Sequence, residues 1–155
     1  MPLEGKDLEA FLQEPHLAHL ATMGPDGNPR VRPLWFCFAE GALWFTTRRE
    51  ARRTGADIVA GSSVAVSIAS EERPYRALLA YGTPEVWESD TRRWLERIAT
   101  RYGEAEGMRW LTGALKESDR VVLRLVPERV VTWHYGTGDY TRMQKGESLR
   151  AELPG

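Results

Sequence analysis

The chain has 155 residues, 42% hydrophobic and 28% charged, an ordinary globular composition with enough length to bury one sizeable core. Its net charge of -1 and pI near 6.3 supply no positive field for nucleic acid or for an anionic membrane surface. The single cysteine excludes an internal disulfide, and no apolar run reaches membrane length or follows a charged start; a soluble, cytoplasmic protein is expected.

In chain order, Leu8, Phe11 and Leu12 fall at helical spacing and Pro15 ends the segment, which predicts an amphipathic helix within residues 1–15 that caps a sheet. Leu17 to Met23 is apolar, and the run Pro25-Asp26-Gly27-Asn28-Pro29 is dense in turn formers. An extended pattern then resumes from Arg30 to Phe38, so residues 17–38 read as a hairpin. On its second strand Arg30, Arg32 and Leu34 share one face, and Val31, Pro33 and Trp35 the other. Two guanidiniums on one face invite an anion, or pair with carboxylates of a neighbouring strand.

A third strand over 42–47 follows the tight Glu40-Gly41 connection, making a meander, and a short helix with an imperfect middle is expected over 50–60. Val64 to Ala69 is an alternating β-branched strand. Tyr75 to Glu88 reads as one long strand bent at Gly82 and Pro84, the kind of bend that curls a sheet into a barrel. Asp90 is placed to cap a helix presenting Trp94, Leu95 and Ile98, and Gly103 to end it. A second helix over 104–116 presents Met108, Leu111 and Leu115. Arg120 to Val126 and Arg129 to His134 form a strand or strand pair broken at Pro127, and the polar tail from about 141 is expected to pack loosely or against a partner. The fold class that results is mainly β: a single domain over 1–155 built as a small antiparallel barrel with short flanking helices.

No catalytic constellation stands out. Cys37 lies in an apolar strand without a partner base and reads as a buried filler; His16, His19 and His134 lack the spacing of a metal pair. Phe36, Phe38, Trp44, Trp94 and Trp110 read as core. Arg48, Arg49, Arg52 and Arg53, directly after Thr46 and Thr47, combine hydroxyl donors with guanidinium forks, a set suited to a phosphate; a solvated charged face is the alternative.

The ordered series HLATMGPDGNPRVRPLWF, ALWFTT, a basic segment ending in Ile58, SSVAVSI, PYRALLAYGTPEV and RVVLRLVPERVVTW resembles the pyridoxamine 5′-phosphate oxidase-like, flavin-binding split-barrel superfamily over residues 17–134. That resemblance implies a homodimer with FMN in a groove between two barrels. It places the phosphate at Thr46, Thr47, Arg48, Arg52 and Arg53, the ring along Arg30, Arg32, Pro33 and Trp35, and Trp133 across the dimer toward the partner's flavin. At the position of the family's phosphate-binding lysine this chain has Thr54, with Arg53 beside it, and a planar fork does not replace a point charge one for one. Related branches bind a deazaflavin or haem. The expected function is a small flavin-dependent oxidoreductase acting with a small-molecule substrate or electron donor, the alternatives being a deazaflavin-dependent reductase and a non-enzymatic flavin, deazaflavin or haem binder. The flavin supplies the hydride chemistry, so no catalytic side chain is named.

Overall fold

The computed structural model describes residues 2–51, 55, 58, 61–135 and 153–154. Helix α1 (Gly5–Gln13) leads into strands β1 (Ala18–Met23), β2 (Pro29–Leu34), β3 (Cys37–Ala39), β4 (Ala42–Arg48), β5 (Val64–Ala69), β6 (Arg76–Gly82) and β7 (Glu85–Trp87). Helix α2 (Thr91–Ala99), a 3₁₀ turn (Thr100–Tyr102), helix α3 (Glu104–Ala114), β8 (Arg120–Leu125) and β9 (Arg129–His134) complete the order. The strands pair antiparallel in two sheets, β2-β1-β5-β6-β9 and β3-β4-β8-β7. Leu20, Val66, Ile68 and Leu78 of the first meet Leu43, Phe45, Leu123 and Leu125 of the second, and α1 closes the core with Leu8, Phe11 and Leu12, as its spacing predicts.

Two long strands expected from the sequence are each divided between the sheets. The run 30–38 breaks at Trp35-Phe36, where the chain leaves β2 for β3 and the second sheet. The cause is distant in sequence: the Phe36 N–H donates to Tyr102 Oη (3.0 Å) and its carbonyl accepts from Arg101, so side chains take the bonds a ladder would use. The run 75–88 divides at the bend expected after Gly82, where a Cβ would meet Leu125 Cδ1 at 3.0 Å and the Val126 carbonyl at 3.3 Å. The Glu40-Gly41 connection is as tight as expected, with positive φ at both residues (55° and 69°).

The helices depart from expectation in detail. Asp90 stands at the α2 N-terminus with φ 53° and makes no side-chain cap, because capping carboxylates act from extended backbone. On α3, Met108 and Leu115 point outward (51% and 41% exposed), while Gly107, Leu111 and Ala114 are buried. A Cβ on Gly107 would lie 2.2 Å from the Ala99 carbonyl, so α3 approaches α2 through its smallest residue and the larger side chains turn to the outside. Of the helix expected over 50–60, Gly55 and Ile58 are helical and the rest lies outside the described residues, as does the tail from 141 until Leu153, which packs on the core. Near the other end, fully buried Thr132 on β9 uses its one hydroxyl twice, accepting from the Leu3 N–H (3.1 Å) and donating to the Leu3 carbonyl (2.8 Å). No described helix is long and apolar enough to cross a membrane.

Candidate functional site

A groove of about 360 Å³ opens where the edge strand β2 faces the ends of β4 and β8. Arg32, Pro33, Leu34 and Trp35 line one side, Thr46, Thr47, Arg48 and Ala51 the other, with Trp110 of α3 and Arg120 of β8 completing the wall. Four consecutive residues of one segment can border the same space only if the strand presents its edge, and among the described residues β2 has no strand partner on that side. The sequence reading placed Arg32 and Trp35 on opposite faces; the open edge and the turn into the crossing bring them to one groove.

Contacts along the wall run from aromatic to charged. Trp35 lies 5.4 Å from Trp110, ring centre to ring centre, and the Arg120 guanidinium sits 5.6 Å from the Trp110 ring. Arg120 then donates to Thr46 Oγ1 (3.3 Å), which itself donates to the Val121 carbonyl (2.9 Å). Both threonines are buried, at 6% and 7% exposure, so their hydroxyls are fixed by the sheet that carries them. Behind Trp35, the Tyr102 ring stacks at 4.4 Å and 5°. Burial pushes the Tyr102 phenol above its ordinary pKa, keeping it a donor to the His16 carbonyl (2.8 Å) while it accepts from Phe36.

Charge is unevenly committed. Arg48 donates from Nε to Asp119 Oδ1 (2.9 Å); the pair holds the Asp119 carboxyl below the usual carboxylate range and raises the guanidinium. Arg120 is bonded to Glu117 through Nε (2.8 Å) and through Nη2. Among the described residues, Arg32 has no carboxylate partner and Arg48 pairs with carboxylates only through its Nε, so both guanidiniums have donors to offer an anion. Cys37 is no nucleophile here: it is buried on β3 of the second sheet, among Trp44 and Trp94, and its thiol is pushed up to about 11 by desolvation.

The groove thus gathers Arg32, Pro33, Trp35, Thr46, Thr47 and Arg48 from the residues expected in a site. Arg30 stands apart: it pairs with Asp26 (3.6 Å) across the hairpin turn and packs over Gly24, where a Cβ would fall 2.5 Å from its Cζ. Trp133 lies on β9, opposite Ala77, at the far edge of the five-stranded sheet. Arg52, Arg53 and Thr54 are outside the described residues. Leu34, Ala51, Trp110 and Arg120 join the groove without having been singled out for it. Arg120 is signalled only by register, being the cross-strand partner of Arg48, and Trp110 was expected in the core.

A family profile for pyridoxamine 5′-phosphate oxidase matches residues 5–134. The chain belongs to the pyridoxamine 5′-phosphate oxidase-like family. Its two-sheet arrangement is the split barrel of that family, shared with a conserved hypothetical protein of Mycobacterium tuberculosis (TM-score 0.66, 21% identity, 84% of each chain covered). An F420 reductase is similar at TM-score 0.62 and 29% identity, over 79% of this chain and 94% of the reductase. The haem storage protein of Vibrio cholerae superposes at TM-score 0.63 and 23% identity, over 84% of this chain and 94% of that one, a likeness of fold. No curated protein matches the sequence. Within the pyridoxamine 5′-phosphate oxidase-like family, then, this chain has a groove with hydroxyls and paired arginines at one end and an aromatic wall at the other.

Proposed function

We propose that this protein is a small flavin-dependent oxidoreductase that holds FMN along the groove. The observation that carries this reading is the meeting of three separated segments, residues 32–35, 46–51 and 110–120, around one space that is aromatic at one end and hydroxyl- and guanidinium-lined at the other. Thr46, Thr47 and Arg48 would hold the phosphate, joined by Arg52 and Arg53, and Pro33 and Trp35 would border the ring, with Arg32 meeting an anionic group of cofactor or substrate. When bound, the flavin supplies hydride transfer; the chain supplies orientation and a partly dry wall. In this reading the protein acts as a homodimer, and Trp133, at the sheet edge opposite β2, would meet the groove of a second copy.

A deazaflavin is the second reading, favoured by the 29% identity to an F420 reductase and by Thr54 at the family's lysine position. Titration of purified protein with FMN and with the deazaflavin, read by calorimetry and visible absorbance, separates the two. Tight FMN binding that is lost in Thr46→Val/Arg48→Ala supports the first, and binding of the deazaflavin alone the second. If neither binds, the cofactor reading is wrong.

A further inference from the structure

We propose that Arg101 and Tyr102 are positioning residues for the groove: from the 3₁₀ turn after α2 they fix the Trp35-Phe36 crossing, and with it the orientation of the Trp35 ring that a bound ligand meets. The inference rests on the groove being the ligand site. Its physical basis is how the crossing is held. As the chain leaves β2 it gives up ladder partners, and both polar groups of Phe36 are taken by this one dipeptide: Tyr102 Oη accepts from the N–H (3.0 Å) and Arg101 donates to the carbonyl. The same guanidinium also donates to the Leu12 carbonyl (2.9 Å) and the Glu14 carbonyl (2.6 Å), and Tyr102 Oη donates to the His16 carbonyl (2.8 Å). The end of α1, the approach to β1 and the crossing are therefore locked to one another through two side chains.

Arg101 is a costly way to obtain stability alone. Its partners are carbonyls, with no carboxylate among the described residues, its Nε is buried without a hydrogen-bond partner, and burial lowers its pKa. A buried charge of this kind is more readily explained by the geometry that its rigid fork imposes than by net stabilisation. Tyr102 adds the second constraint. Its ring is parallel to Trp35 at 4.4 Å, and because the hydroxyl is pinned at both sides, the stacked pair cannot slide along the groove.

The test uses full-length protein labelled with fluorotryptophan, its fluorine resonances assigned by single Trp→Phe variants. Tyr102→Phe keeps the stacked ring and removes both hydroxyl bonds; Arg101→Met keeps length and removes the fork; Arg92→Ala, on an exposed helical ion pair, serves as control. The expected result is a shifted or broadened Trp35 resonance in the first two, with those of Trp87 and Trp94 in place. Affinity for whichever of FMN or deazaflavin the wild type binds falls roughly tenfold, the size of one lost ligand contact, and Arg101→Lys does not restore it. A Trp35 resonance unmoved in Tyr102→Phe, or all tryptophan resonances moving together, would overturn the proposal. Should Arg101→Met fail to fold, Tyr102→Phe decides alone. Wild-type protein that binds neither cofactor refutes the reading of the groove, while the resonances still decide whether the pair positions Trp35.

Discussion

Two groups of tryptophans adjoin on the four-stranded sheet, Trp35 and Tyr102 packing against the cluster that holds Trp44 and Trp94, and the groups differ in what surrounds them. Trp44 of β4 and Trp87 of β7 meet Trp94 of α2: Trp44 and Trp94 stack at 3.4 Å and are 0% and 2% exposed, and the Trp44 Nε1–H donates to the Ala39 carbonyl (2.8 Å). Arg93, Arg97 and Arg124 lie over these rings and are themselves paired with Glu40 and Glu85, so Trp44 and Trp94 are sealed while Trp87 stays half-buried at the margin. Trp35, Trp110 and Tyr102 have similar chemistry but remain half-buried, and two of the three line the groove. Aromatic content alone does not mark a site; a ring backed by a fixed partner on one face and left open on the other does.

The sharpest way to break this comparison is to truncate both clusters. Trp44→Ala should cost about 3–5 kcal/mol in chemical denaturation, the range for emptying a large core site. Gly107→Ala, which forces a methyl group toward the Ala99 carbonyl, should cost about 1–3 kcal/mol and displace Trp110, seen as weaker binding of the groove ligand. Trp35→Ala should reverse the balance: less than about 2 kcal/mol of stability, because the ring is only partly buried, and loss of ligand binding by calorimetry. Equal stability losses in Trp44→Ala and Trp35→Ala would show that the two clusters do the same job.

The smallest effect concerns acid. Arg76 donates to both Glu14 carboxylate oxygens (2.8 and 2.7 Å) and holds that carboxyl below its ordinary value, and the Glu14 backbone is one of the supports behind Trp35. A depressed native pKa means that the contribution is present above the unfolded carboxylate value and fades as pH falls through the native one. Glu14→Gln should therefore be slightly less stable than wild type at neutral pH and unfold with a shallower dependence on acid, the two converging at the lowest pH. A difference that grows toward low pH would contradict the assignment.

What could be read from the sequence was local. The turn residues before Arg30, the Glu40-Gly41 connection and the α1 stripe depend on neighbours a few positions apart and stand where their patterns placed them, and the Thr46-Thr47-Arg48 series lines the groove. The crossing at Trp35-Phe36 was missed because Leu34 to Phe38 has unbroken strand character, and the groups that interrupt it lie 65 and 66 residues later. Trp110 packs in part against the α2–α3 core, as its helical spacing suggests, but it also lines the groove, and only the close approach at Gly107 decides which face of α3 turns inward. Arg30 and Arg32 look alike on a strand, yet the carboxylate of Asp26 is within reach of the first and no described carboxylate pairs with the second.

The double use of the Thr132 hydroxyl by Leu3 has a consequence for the order of events in synthesis. The two residues are 129 positions apart, so the backbone ahead of α1 gains these two bonds only after β9 has been made. Such distant closure is entropically slow and comes late. Helix α1 itself is fastened by residues made earlier, Arg76 on the Glu14 carboxylate and Arg101 on the Leu12 and Glu14 carbonyls, so the Leu3–Thr132 closure locks the lead-in of a helix that is already docked.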